Sequence, residues 1–426
     1  MKQIFSGAPI HLALALGLFV FAAKANSAPC PDGQLGDGVI CEPGGSWVQH
    51  EIGIQADAIY VFVTDLDQDG DPDVVVTSSD HRPEYHSEIA WYRNEGQGSA
   101  FTKFVIWGAD SPEPVHAANG VVAADLDGDG QLEVAVASGP TGQGLGGVTL
   151  WKSPLGPTGK WDRTVVFETS EQSFFKIYAV DMDQDGTLDL VSGGNKTALI
   201  SQNPGVVRSA WQSVALNPGT GGSLFVADLN LDGRPEIIST NSFSQKILWT
   251  EVFADLSGSL SFSDHLVAST PFPFDANVLD VDGDGRLDIL ASRIAGRGFH
   301  WFSQPASLDQ PWTEQMIYAD FSATDIYPGD IDGDGDRDVL VAGLSMMEEN
   351  SLPPSLAWFE IAQQGADVIW KTHWVDYDNP NLQVPGDVQL ADINGDGKLD
   401  AVTTSLKNNR VYWYENRHRL TPLEPH

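Results

Sequence analysis

The chain is short of three things. It has two cysteines in 426 residues, 23 Lys+Arg against 59 Asp+Glu, and, beyond its first 25 residues, no apolar run approaching 18 residues. Two cysteines exclude a zinc or redox cysteine cluster by count. The shortage of cations leaves a net charge of −36. Phosphate backbones and anionic lipid repel such a chain, which excludes nucleic acid as an expected partner and membrane insertion as an expected state. Also missing are a nucleophile elbow, a zinc-protease motif, a P-loop and a dinucleotide fingerprint. What is present is a packed protein: 42% of residues are hydrophobic and 13 are Trp, too apolar for disorder. The length suits two to four domains or one large all-β domain.

Residues 1–25 read as an export signal. Lys2 supplies a positive start, residues 12–23 (LALALGLFVFAA) an apolar stretch, and Ala23-Lys24-Ala25 an A-x-A cleavage site. Twelve apolar residues are too few to span a membrane comfortably, since that takes about 20. The expectation is a soluble, monomeric, secreted chain, periplasmic or extracellular. In an oxidising compartment Cys30 and Cys41, in residues 26–46, are expected to form a structural disulfide across a Gly-rich loop.

Internal repetition dominates the rest. Seven segments match D-x-[DN]-x-D-G-x-x-[DE]: 65–73, 125–133, 181–189, 228–236, 280–288, 330–338 and 392–400. Each is flanked by short β-branched runs, such as Val61-Phe62-Val63 before the first and Val74-Val75-Val76 after it. These read as two strands joined by an acidic loop. A third strand follows, marked by Trp91, Trp151, Trp249, Trp301, Trp358 or Trp413, with Ala198-Leu199-Ile200 in the third repeat. A fourth begins with an aromatic and has an aliphatic five residues on: Phe101/Ile106, Trp161/Val166, Trp211/Leu216, Phe262/Val267, Trp312/Ile317 and Trp370/Val375. Four strands per repeat of about 50 residues is the blade of a β-propeller. The seventh repeat lacks its fourth strand, and Trp47/Ile52 carries that pattern at the other end of the chain. The expectation is an all-β, seven-bladed propeller over residues 47–416, closed by its N-terminal strand, with a tail at 417–426. Eleven of the 13 Trp fall in the third- and fourth-strand rows and read as core between blades.

The loops carry 28 of the 59 acidic residues. Carboxylates at positions 1, 3 and 5 converge hard oxygens, Gly at 6 permits a left-handed turn, the carbonyl at 7 adds an oxygen, and position 9 adds a carboxylate. An all-oxygen set of this kind suits Ca²⁺. The expected ligands are Asp65, Asp67, Asp69 and Asp73; Asp125, Asp127, Asp129 and Glu133; Asp181, Asp183, Asp185 and Asp189; Asp228, Asn230, Asp232 and Glu236; Asp280, Asp282, Asp284 and Asp288; Asp330, Asp332, Asp334 and Asp338; and Asp392, Asn394, Asp396 and Asp400. Up to seven ions are expected, with loops four and seven, which have Asn at position 3, the weakest. Position 12 is never Glu, so these are not EF-hands.

On these residues the repeat resembles the FG-GAP/VCBS type of propeller blade, found in the integrin α-subunit head and in many secreted microbial proteins. The Trp-Tyr-x-Asn runs at 91–94 and 413–416 are similar to a bacterial variant, whereas the Phe-Gly and Gly-Ala-Pro signatures are largely absent. The resemblance implies that each loop joins the first and second strands of a blade and binds Ca²⁺ on one face of the disc.

The opposite face is where a function is expected. The first reading is a non-catalytic module binding a glycan or protein partner there. The second is a polysaccharide lyase using His81, Arg82, Tyr85 and His86, which supply the base, acid and cation types that uronate elimination needs. A second unusual connection carries Met346, Met347, Glu348 and Glu349, and His116, Arg293, Arg297 and Tyr377 lie in nearby ones. Five residues before each loop stand Tyr60, Gly120, Lys176, Ser223, Asp275, Asp325 and Asp387, a register expected to ring the central channel.

Overall fold

The structure is a computed structural model that describes residues 46–418, apart from 80–86, 109–110, 112–114, 116, 141–144, 155–158, 207–208, 294–297, 319–321, 345–354, 365–366, 378, 380–381 and 383–384. Its 28 strands form seven four-stranded antiparallel sheets. No helix occurs among the described residues, so none is long and apolar enough to cross a membrane. Blades one to six span residues 58–107, 118–169, 174–215, 223–269, 273–318 and 322–377. Blade seven combines residues 385–416 with the N-terminal strand Trp47–Ile54, which pairs antiparallel with Arg410–Asn416 from Trp47↔Asn416 to Ile54↔Arg410. The expected closure is therefore present.

Each blade is covered on both faces by its neighbours, and the burial follows. Second strands such as Asp73–Ser78, Glu133–Ser138 and Asp400–Ser405 are buried at every residue. They read as continuous apolar and small runs rather than alternating ones. The core clusters lie between blades. Trp91 of blade one and Trp151 and Trp161 of blade two share one; Val166 and Leu150 of blade two meet Phe174 and Leu199 of blade three in the next. The spacing of five in the fourth strands now has a reason. An odd separation sends the two side chains to opposite faces, so Trp161 packs toward blade one and Val166 toward blade three. The ladder also skips Ile52, Ile106, Val166, Val267, Ile317 and Val375, each at a β-bulge. Bulges on these outer strands twist the edge and disfavour edge-to-edge pairing.

Two details differ from the sequence pattern. Trp151 is not equivalent to the other third-strand Trp. Trp91, Trp249, Trp301, Trp358 and Trp413 pair with loop position 11, whereas Trp151 pairs with Val134 at position 10. One residue of slip reverses the face, so Trp151 turns back toward blade one. In three blades the Trp is also stacked by a fourth-strand His held by a Glu: Trp249 with His265 and Glu251, Trp358 with His373 and Glu360, and Trp413 with His50 and Glu415. His50 comes from the N-terminal strand, so that strand supplies blade seven with a full fourth-strand complement. Cys30 and Cys41 and the signal-like segment lie outside the described residues.

Removing residues 1–56 should leave blade seven three-stranded, with Tyr412, Trp413 and Tyr414 stripped of their outer cover. The expected outcome is a melting temperature at least 10 °C lower by calorimetry, since 1 kcal/mol moves a chain of 150–250 residues by about 2–4 °C and several are at stake. An unchanged melting temperature would contradict this closure.

Candidate functional site

Six of the seven acidic turns share one hydrogen-bond pattern, and the reason is local. The carboxylate at position 1 accepts the N–H groups of positions 5 and 6, as Asp65 does from Asp69 and Gly70. The same pair recurs in loops two to five and seven. In loop six Asp330 instead accepts Gly333 N–H. Position 6 is a left-handed Gly in every loop, from Gly70 to Gly397. Position 4 is left-handed too, which the motif did not reveal. Gly fills it in four loops, but Gln68, Gln184 and Leu231 hold it in loops one, three and four. The two Gln side chains are used: Gln68 Nε2 donates to Gly130 O and Gln184 Nε2 to Gly233 O, tying loop one to two and loop three to four.

Position 9 is the buried anchor. In all seven loops its carboxylate accepts the position-2 N–H, at 2.8–3.2 Å. In blades one, three, five and seven its other oxygen accepts a backbone N–H from Asn94, Asn203, Gln304 or Asn416. The amides of those four residues then cross to the preceding blade, where they donate to the position-2 carbonyl of its loop: Ile393, Leu126, Leu229 and Ile331, at 2.7–3.1 Å. Sequence reasoning saw the Trp-Tyr-x-Asn runs without assigning this role. The available signal was an amide residue three places after the third-strand Trp or its substitute Ile200, in alternate repeats.

Calcium fits most of this geometry. In loops one, two, three and six, carboxylate oxygens of positions 1, 3 and 9 lie within 4.8 Å of one another, and in loop five those of positions 1, 3 and 5. Every donor is a hard oxygen. Asp338 Oδ1 in loop six is buried without a hydrogen-bond partner. Loop four fits worst: Asn230 Nδ2 donates to Glu236 Oε1, so a proton points where an ion would need an oxygen. Asn394 of loop seven instead keeps its oxygen on the loop, accepting Asp396 N–H.

Burial is the main reason the position-9 carboxyls hold protons tightly without metal. It pushes Asp73, Asp189 and Asp400 up to about 7, Asp288 to about 6, Asp338 to about 8 and Glu236 to about 7. A carboxyl whose folded pKa lies above its unfolded value of 3.8 or 4.5 costs stability while ionised. That cost disappears as pH falls through the folded pKa. The metal-free chain should therefore melt higher at pH 5 than at pH 8, and saturating calcium should flatten or reverse the trend. A metal-free melting temperature that falls steadily from pH 8 to pH 5 would contradict it.

The register five residues before each loop does line the channel. Lys176 Nζ of blade three lies 2.5 Å from Asp325 Oδ1 and 3.2 Å from Asp387 Oδ1, on blades six and seven. Asp275 accepts Ser223 Oγ at 2.5 Å. The second oxygens of Asp275, Asp325 and Asp387 accept Ile326, Val388 and Val61 N–H from the next blade. Gly120 is required by space, because a Cβ there would lie 2.3 Å from Phe175 O. Burial opposes the charge on Asp325, but the Lys176 ammonium offsets it and holds this carboxyl below its ordinary pKa. Asp275 is pushed up to about 7, and Asp387 well above the usual range, by burial first. Between this cluster and the acidic turns lies a cavity of about 770 Å³, bordered by Phe62, Tyr178, Phe225 and Tyr327. Its charged floor is an interblade staple whose groups are already partnered. Lys176→Met would bury the carboxylates uncompensated and should cost about 3–5 kcal/mol. Adding Asp325→Asn and Asp387→Asn should recover much of that loss in denaturant titrations, and no recovery would contradict the charge account.

The residues proposed for lyase chemistry, His81, Arg82, Tyr85 and His86, lie outside the described residues. So do His116, Arg297, Met346, Met347, Glu348, Glu349 and the Tyr377 side chain. Arg293 is described, and its guanidinium pairs with Glu314.

A family model described as an FG-GAP-like repeat matches residues 65–136, 181–239 and 280–341. Each match runs from the loop of an odd-numbered blade to the second strand of the next. No curated protein matches the chain. Similar solved structures include the N-terminal domain of Nup159, with a TM-score of 0.50 and 10% identity over 89% of this chain and 98% of that one. The PQQ domain of pyranose dehydrogenase from Coprinopsis cinerea gives 0.44 and 10% over 87% and 96%. Nup170 NTD in its Nup53 complex, from Chaetomium thermophilum, gives 0.47 and 10% over 90% and 64%. At such identities the Nup159 likeness supports the propeller fold alone.

Proposed function

We propose that this chain, which is similar to FG-GAP-like repeat proteins over residues 65–136, 181–239 and 280–341, is an exported, calcium-stabilised binding module without catalytic activity of its own. The observation that carries the calcium part is the convergence of carboxylate oxygens within 4.8 Å in five of the acidic turns, together with the orphaned, buried Asp338 Oδ1. Positions 1, 3, 5 and 9 and the position-7 carbonyl would hold the ion. A bound Ca²⁺ would neutralise carboxylates that otherwise repel one another in a chain of net charge −36. Export is supported by the signal-like residues 1–25 and by the acidic surface such an ion-rich scaffold tolerates.

Binding is the reading that a rigid ring favours. Blades locked to one another by interblade hydrogen bonds hold their strand ends at fixed spacing, which suits recognition of an extended glycan or a protein surface on the face away from the acidic turns.

The test is thermal unfolding of the mature chain in calcium, in EDTA, and in EDTA followed by calcium. Chelation should lower the melting temperature by 10 °C or more and readdition should restore it, because a ligand at 1,000 times its Kd contributes about 4 kcal/mol per site. A melting temperature indifferent to EDTA would end the calcium reading. In calcium, a panel of acidic and neutral polysaccharides is then scanned for a stabilising shift. Absorbance near 235 nm from unsaturated products would replace the binding reading with the lyase one.

A further inference from the structure

Resting on the calcium reading above, we infer that loop two takes no metal because the chain supplies its own cation there, the ammonium of Lys152. The third-strand residue opposite loop position 9 overlooks each turn. It is Arg93, Lys152, Gln202, Glu251, Ser303, Glu360 and Glu415 around the ring, and in blade two the pairing is Glu133↔Lys152. Lys152 Nζ donates to Asp127 Oδ2 and, at 2.7 Å, to Asp129 Oδ2, and it lies 3.3 Å from Glu133 Oε1. Those are positions 3, 5 and 9, three of the four side-chain ligands an ion would use. The ammonium stands among them.

Other cations near the loops do not do this. Arg93, at the same place in blade one, is taken by Glu95 through both carboxylate oxygens and leaves loop one open. Arg286 and Lys398 each reach one carboxylate of their own loop, Asp284 and Asp396, at position 5. In blades four, six and seven the overlooking residue is an anionic Glu held by a His. Among the described residues, only Lys152 touches three ligand positions of one loop.

The slip that reverses Trp151 has a counterpart here. With Leu150 in the Trp place, Trp151 and Lys152 each stand one position later in the third-strand pattern, which brings a long cationic side chain over the loop. A tethered ammonium competes with free ions at an effective concentration of millimolar or more. Loop two carries four carboxylates, and Lys152 lowers the charge an ion would meet there from −4 to −3. Loop two further receives Gln68 from loop one and Asn203 from blade three, so a turn braced by Lys152 ties three blades together.

Calcium bound per chain is counted by isothermal titration calorimetry and native mass spectrometry on the full mature protein, for wild type, Lys152→Gln and Lys152→Arg, with Asp282→Asn in loop five as a calibrating loss of one ion. The expected result is one more ion in Lys152→Gln than in wild type, and no gain in Lys152→Arg. In EDTA, Lys152→Gln should melt below wild type, and calcium should close the gap. If Lys152→Gln folds only in calcium, it is prepared there and counted by mass. Equal, non-zero counts in wild type and Lys152→Gln would overturn this inference while leaving the calcium reading intact. Zero ions in every variant would overturn both.

Discussion

A single hydrogen-bonded carboxylate, repeated seven times, sets the terms for the whole disc. The acid at loop position 9 opens the second strand of each blade, whose described residues are buried apart from Arg293. It accepts the N–H of position 2 and so folds the turn back on itself. Burying a carboxylate is costly unless its oxygens are satisfied. A backbone N–H from Asn94, Asn203, Gln304 or Asn416 supplies part of that satisfaction in alternate blades, whereas the other acids of the turn repel the buried one. The acidity of the chain is thus concentrated where the backbone turns most sharply.

The second theme is alternation. Asn94, Asn203, Gln304 and Asn416 reach back to the loop of the preceding blade, and all four belong to odd-numbered blades. The even blades lack such an amide at that place and, in blades four and six, carry longer third-to-fourth hairpins, Lys246–Ala254 with Leu260–Ser269 and Ser355–Gln364 with Asp367–Tyr377. The family matches follow the same two-blade period. A ring of seven cannot alternate perfectly, so blades seven and one, both of the amide kind, meet at the closure. That junction is also where the N-terminal strand joins blade seven and where Asn94 clamps loop seven, so it is bonded from two sides.

Two lysines show how the same shortage of positive charge is managed at two places in the disc. Lys176 crosses from blade three to blades six and seven and neutralises a buried acid cluster, closing the channel at one end. Lys152 sits among the acids of loop two. With 23 cations against 59 acids, placement matters more than number. Lys176 and its acids are buried, where one charge is worth more than a surface pair, whereas Lys152 acts by touching three carboxylates at once.

The amino-acid sequence by itself determined the number of blades, the four strands in each, the closure by Trp47–Ile54 and the acid-rich turns. All of these are local, written in the period of two along strands, in Gly at a left-handed position and in a spacing of roughly 50 residues. The ring register of Lys176, Asp275, Asp325 and Asp387 was legible too, as a set of equivalent positions. Tertiary structure alone decided what those positions do. Lys176 meets acids 149 and 211 residues away, and Asn94 meets a carbonyl 299 residues away. Such contacts follow from the angle between blades and from which blade ends up beside which. The one-residue slip in blade two is of the same kind. Trp151 looks like its counterparts along the chain, and only pairing with Val134 shows that it faces the other way and that Lys152 points into a loop.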